Sequence, residues 1–237
     1  MQSKINKNFN QDRKNQLYNE LLKLIGKRKS HSHLHTTLDS LNLVLKHDKI
    51  ITDLCNQFCI SKSLIQAILF DALWSINDQN YETDNLVKKY FDWKQECEDI
   101  FTLAPLGCDT IAYPEPPNPV LEDSTTGIGQ LSAAIAIAAN NAAADNCLIN
   151  YVKYNENNWQ HKKVMWFNLK TNDSFCIKMV ILAIRYFAEC EEIFGELYDC
   201  DKKQLKSIVS RYGKINGKSK SYFNYWYKIY ETFKSHY

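Results

Sequence analysis

The sequence predicts a mainly α protein, on three observations. Seven glycines and five prolines in 237 residues are too few for a turn-dense all-β chain. Apolar residues recur at helical spacing along most of the length, and no convincing strand run or internal repeat interrupts them. The prolines all fall inside one stretch, 103–123, which leaves the rest of the chain free of helix breakers.

Taken in order, the elements are these. A lysine- and asparagine-rich arm precedes the stripe Leu17, Leu21, Leu22, Ile25, which Gly26 ends. His31, His33 and His35 alternate with polar residues and read as a solvated linker rather than a metal tract, because no carboxylate or thiol lies nearby. Residues 38–58 form a helix or a broken pair. Ser61 is placed to cap 62–76, whose apolar content runs nearly all round, the mark of a core helix. Residues 82–101 mix Leu86, Val87, Tyr90, Phe91 and Trp93 with charges in a further helix. Dense prolines then forbid helix over 103–123 and favour an extended path. That path opens onto an Ala/Ile helix, 131–144. Helices follow at 159–169, 174–194 (capped by Asp173), 202–212 (capped by Asp201) and 221–233. The aromatic run Tyr222 to Tyr230 is read as packing the last helix on the core in preference to stacking on a base or sugar.

The composition, 45% hydrophobic and 24% charged, is that of a globular chain and excludes wholesale disorder. We divide the chain into an N-terminal helical region, 1–60, accessory or serving delivery, and a domain, 61–237, with a proline-rich insertion at about 103–121. With 29 basic against 27 acidic residues, no global field calls for nucleic acid. The eight cysteines include no C-x-x-C pair and are read as mostly buried free thiols, with no zinc site and no metal or other cofactor. Residues 1–28 lack the apolar core of a signal peptide. The most apolar run, 175–187, is short and broken by Lys178 and Arg185, so no membrane span is expected.

Three separated segments carry the chemistry. The first is Gln66-Ala-Ile-Leu-Phe-Asp-Ala-Leu-Trp74, ending the core helix. The second is Glu122-Asp-Ser-Thr-Thr-Gly-Ile-Gly-Gln-Leu131, and the third Ser210-Arg-Tyr-Gly-Lys-Ile-Asn-Gly217. Gly127 and Gly129 permit positive φ or a close backbone approach, and Gln130 both donates and accepts, which suits sugar amides and hydroxyls. Alternatively, Asp123 or Ser124 caps the Ala-rich helix and the glycines only tighten a loop. Lys214, Lys218 and Lys220 meet anionic polymer or nothing.

In this order the segments resemble the lysozyme-like superfamily, in its goose-type lysozyme and soluble lytic transglycosylase branch, over roughly 60–235. That resemblance implies a lysozyme-like helical domain and cleavage of peptidoglycan by general-acid catalysis, with a buried protonated carboxyl as donor. It places the acid at position 72 and makes Asp123 the water-positioning carboxylate with Glu122 as understudy. Ser124, Gly127, Gly129, Gln130 and Tyr212 become substrate contacts. The chain departs from the pattern at the decisive position, since Ala72 stands where the glutamate is expected. Asp71 is adjacent, but neighbours on a helix point about 100° apart. Either an active enzyme's glutamate has been replaced, the reading we prefer because Asp123 and the glycine turn are intact, or a natural pseudo-enzyme keeps the groove and binds glycan. The chain as it stands is expected to be nearly inactive. The resemblance further implies an antibacterial effector made in a bacterial cytoplasm and exported by a specialised secretion system to a target cell's periplasm or wall, with a cognate immunity protein, or else an endolysin. The alternative from another class is a non-catalytic helical module that binds a glycan or a protein.

Overall fold

The computed structural model describes residues 13–26, 34–103, 112–150, 152–212 and 220–237. Among them are ten helices and no strand: α1 Lys14–Ile25, α2 Thr37–Lys46, α3 Asp48–Gln57, α4 Lys62–Trp74, α5 Asp78–Leu103, α6 Ala133–Asp145, α7 Trp159–Thr171, α8 Asp173–Cys190, α9 Lys202–Ser210 and α10 Lys220–Lys234. The mainly α expectation holds. Extended pairing is limited to two isolated bridges, Ile60 with Leu197 and Thr126 with Leu131. No helix among the described residues is long and apolar enough to cross a membrane.

All thirteen residues of α4 are buried, so its polar members need internal partners. Lys62 pairs with Asp48 at 2.7 Å. The Gln66 amide donates to Asp48 and to the Tyr237 hydroxyl, and Tyr222 of α10 donates to Asp71. Around this axis α10, α2 and α3 pack on α4, while α6 and α7 pack on α8. Leu17, Leu21, Leu41 and Ile51, from α1 to α3, lie in the same apolar cluster as α4 and α8. Trp226 and Tyr230 stack at 6.0 Å inside α10 and are fully buried, as the packing reading of that aromatic run requires.

Some boundaries move for local reasons. The 38–58 segment breaks at His47, which ends α2 and starts α3. Asn172, not Asp173, caps α8 by accepting from the Phe175 N–H; Asp173 is already helical and meets His47 at 3.0 Å instead. α8 also ends earlier than expected, at Cys190, with Glu192 in the left-handed region. Ser61 has the extended backbone of a cap but its side chain makes no cap bond. Of the seven described cysteines, Cys55 and Cys176 are buried, whereas Cys147 and Cys190 are exposed at helix ends; apolar sequence neighbours do not bury a residue that falls where the helix stops. Cys108, Pro105, His31, His33, Lys214, Lys218 and the glycines at 213 and 217 lie outside the described residues.

Candidate functional site

The three informative segments meet. Ile68, Asp71 and Ala72 of α4, with Ser75 at its C-cap, line a small cavity of about 20 Å³ together with Gly129, Gln130 and Tyr212. That volume holds about one water. Tyr212 donates from its hydroxyl to the Gly129 carbonyl at 2.6 Å and packs edge-on against Phe187. Burial holds the phenol well above its usual range, with the Cys176 thiol adding to the shift, so the hydroxyl stays a donor.

The glycine turn is folded against α7 and α8. A Cβ on Gly127, whose φ is +69°, would lie 2.1 Å from the Leu169 carbonyl oxygen; one on Gly129 would lie 2.3 Å from Val180 Cγ2. The close approach these glycines permit is therefore to the protein's own helices. Gln130 follows in the left-handed region at φ +48°, a conformation that strains a residue with a side chain by about 1–2 kcal/mol. Its amide is held from two sides, accepting from Asn80 Nδ2 at 2.8 Å and donating to the Gly127 carbonyl at 3.0 Å.

The carboxylates are arranged differently from the sequence expectation. Asp123 accepts from the backbone N–H groups of Ser124, Ala133 and Ala134 at 2.8–2.9 Å, so it fastens the start of α6 together with the cap Ser132. This is the capping role weighed beside the catalytic one. Burial raises its pKa, while the three N–H groups pull the other way. Asp123→Ala is expected to destabilise the protein by about 2 kcal/mol, read as the denaturant midpoint; a change under a few tenths would show that those N–H groups find other partners. Glu122 is exposed and faces Lys162 at 3.5 Å. Ser124 is buried: it donates to Asp84 and accepts from the Trp166 indole N–H.

Asp84 is the residue that sequence reading missed. It is buried, takes hydrogen bonds from Ser124 and Thr126 at 2.8 Å each, and pairs with Lys170 at 3.2 Å. The available signal was its place on the apolar stripe with Val87 and Phe91 (i, i+3, i+7), where a solvated carboxylate does not belong. Asp84, Asn80, Lys170 and Asp173 supply polar groups to a second cavity of about 290 Å³, with Leu73 and Ile128 among its apolar walls. His35, assigned to a linker, also lines it, and Gln130 faces both cavities. A mostly apolar hollow with a few convergent polar groups is the usual form of a small-molecule site.

Comparison of the chain with models of known families, with curated proteins and with solved structures gave no match.

Proposed function

We propose that the chain is a peptidoglycan glycosidase of muramidase type whose proton-donor position holds Ala72. The observation that carries this reading is the convergence of Ala72, Gln130 and Tyr212, from three distant segments, on one cavity. Two further features support it. Gln130 carries a backbone strain at the junction of the two cavities, where strain at a polar residue accompanies function. The larger cavity beside it has the apolar walls and amide groups that a sugar ring with an acyl substituent needs. On this reading glycan strands are the substrate, the protein acts as an antibacterial effector in a target cell's periplasm or wall, and an immunity protein that occupies the groove is its partner.

Solubilisation of peptidoglycan by this chain and by Ala72→Glu tests it. The glutamate form is expected to release fragments on the order of 10²-fold faster or more, the usual contribution of a positioned general acid. Reducing ends in the products identify a hydrolase, and anhydro ends a transglycosylase. If neither form cuts while both remain folded, the reading fails. One observation favours the binding-module alternative: the Asp123 carboxylate is occupied by three backbone N–H groups rather than turned to the groove. Saturable binding of chitooligosaccharide by both forms, without cleavage by either, is the result that reading requires.

A further inference from the structure

The charges around the larger cavity do not balance. Asp84, Lys170 and Asp173 all line it. Lys170 is matched by Asp84 at 3.2 Å and lies over the Trp166 ring, 4.7 Å from its centroid. Asp84 is filled further by the hydroxyls of Ser124 and Thr126. Asp173 is left with less. Its Oδ2 meets His47 Nε2 at 3.0 Å, while its Oδ1 takes no hydrogen bond among the described residues. The side chain is 37% exposed, so one side of this carboxylate is open to a donor.

An aromatic ring stands at the same cavity. Tyr81, in the first turn of α5, is half exposed, and its side chain makes no hydrogen bond, ring contact or ion pair among the described residues. Leu43, Leu73, Ile76 and Ile128 supply apolar walls. The volume of about 290 Å³ is at the lower end for small-molecule sites, which suits a small ligand. An open carboxylate oxygen and an unpartnered ring are the two groups that hold an ammonium: the oxygen accepts a charged N–H, and the ring face attracts the cation.

We infer that the larger cavity binds a primary alkylammonium group, seated on Asp173 and Tyr81 with its carbon chain against the apolar walls. The muramidase reading uses neither residue, and the inference does not rest on it. A free amine and the lysine-type side chain of a peptide share this chemistry.

NMR titration of the isotope-labelled chain tests it, with the amide signals of Gly127 and Ile128 reporting from the cavity wall. His35 also lines the cavity. An imidazolium there would oppose an ammonium, so the titrations are run at pH 8. n-Pentylamine is expected to bind at least about tenfold more tightly than pentan-1-ol, the worth of a hydrogen bond to a charged group, and hexanoate no better than the alcohol. Asp173→Asn is expected to abolish that preference. Tyr81→Leu, at an exposed position without side-chain contacts, should weaken the amine about two- to fivefold. His47→Asn separates a direct role of Asp173 from a structural one, because it breaks the pair but keeps the carboxylate; the amine should still bind.

An amine bound no better than the alcohol, tighter binding of hexanoate, silence at Gly127 and Ile128, or equal losses in Asp173→Asn and His47→Asn would each overturn the inference. Nα-acetyl-lysine methylamide then identifies the source. Affinity equal to or above that of pentylamine assigns the site to a peptide side chain, and weaker affinity to a free amine. Cleavage by Ala72→Glu is measured apart from this, so either reading can fail while the other stands.

Discussion

Asp48→Ala is expected to destabilise the protein by about 3–5 kcal/mol, the range for deleting one partner of a buried ion pair. Asp48 opens α3 and meets Lys62, the first residue of α4, at 2.7 Å; the Lys62 side chain is 2% exposed. Its ammonium also lies 4.4 Å from the Tyr237 ring centroid, but a ring quadrupole does not replace a carboxylate. Burial lowers the Lys62 pKa and Asp48 pulls it back up, so the variant lowers it further. The sign of the pH dependence follows from that. Below the folded-state pKa of Lys62 both states carry the proton and the deficit is complete. As pH climbs from there toward the ordinary lysine value of 10.5, the folded protein sheds a proton that the unfolded chain keeps, so stability rises. Urea midpoints at pH 7 and pH 9.5 check this: the gap between Asp48→Ala and the parent narrows at the higher pH. A pH-independent gap would mean the loss comes from packing rather than charge. Replacing both members by apolar residues of similar volume, as in Asp48→Leu with Lys62→Met, is expected to be far milder than the single change, because neither member of the pair is left as an unpartnered charge.

What could be read from the sequence follows the range of the forces involved. The all-round apolar pattern of 62–76 identified the core helix because burial on every side leaves no polar face. The Asp201 cap of α9 was legible because a helix end is decided within four residues. The cap of α8 shifted by one residue because Asn172 and Asp173 are both good caps, and the tertiary contact of Asp173 with His47 drew the aspartate away. The acids near the glycine turn were harder. Asp123 suits a helix start and a groove equally, and only the positions of three N–H groups separate the two. Asp84 takes its partners from residues 124, 126 and 170, which no local pattern on α5 reveals.

Gly127→Ala is expected to cost about 3 kcal/mol or more, which for a chain of this length lowers the melting temperature by about 6–12 °C. Two independent penalties combine. The φ of +69° is a left-handed conformation that costs a side-chain-bearing residue about 1–2 kcal/mol. The new methyl would also sit 2.1 Å from the Leu169 carbonyl oxygen and 2.9 Å from Cys176 Sγ, and overpacking of a tight site costs about 1–3 kcal/mol. Leu169 is in the last turn of α7 and Cys176 in the first turn of α8, so relief requires moving a helix. Gly195 provides the comparison that separates the terms, since its φ is +89° and no atom lies within 4 Å of an added Cβ; Gly195→Ala is expected to lose only the conformational part, about 1 kcal/mol. Gly129→Ala complements them with ordinary backbone but a Cβ 2.3 Å from Val180 Cγ2, and Val180 is buried and stiff at χ1. Because the Gly129 carbonyl takes the Tyr212 hydrogen bond and Gln130 follows immediately, pushing this turn off α8 also withdraws one wall from the cavity at Ala72. On the muramidase reading, Gly127→Ala and Gly129→Ala placed in the Ala72→Glu protein should therefore lose cleavage even at temperatures where both remain folded, whereas Gly195→Ala should keep it. Undiminished cleavage in a folded Gly129→Ala, Ala72→Glu protein would detach the turn from the chemistry and leave it a purely structural joint between α7 and α8.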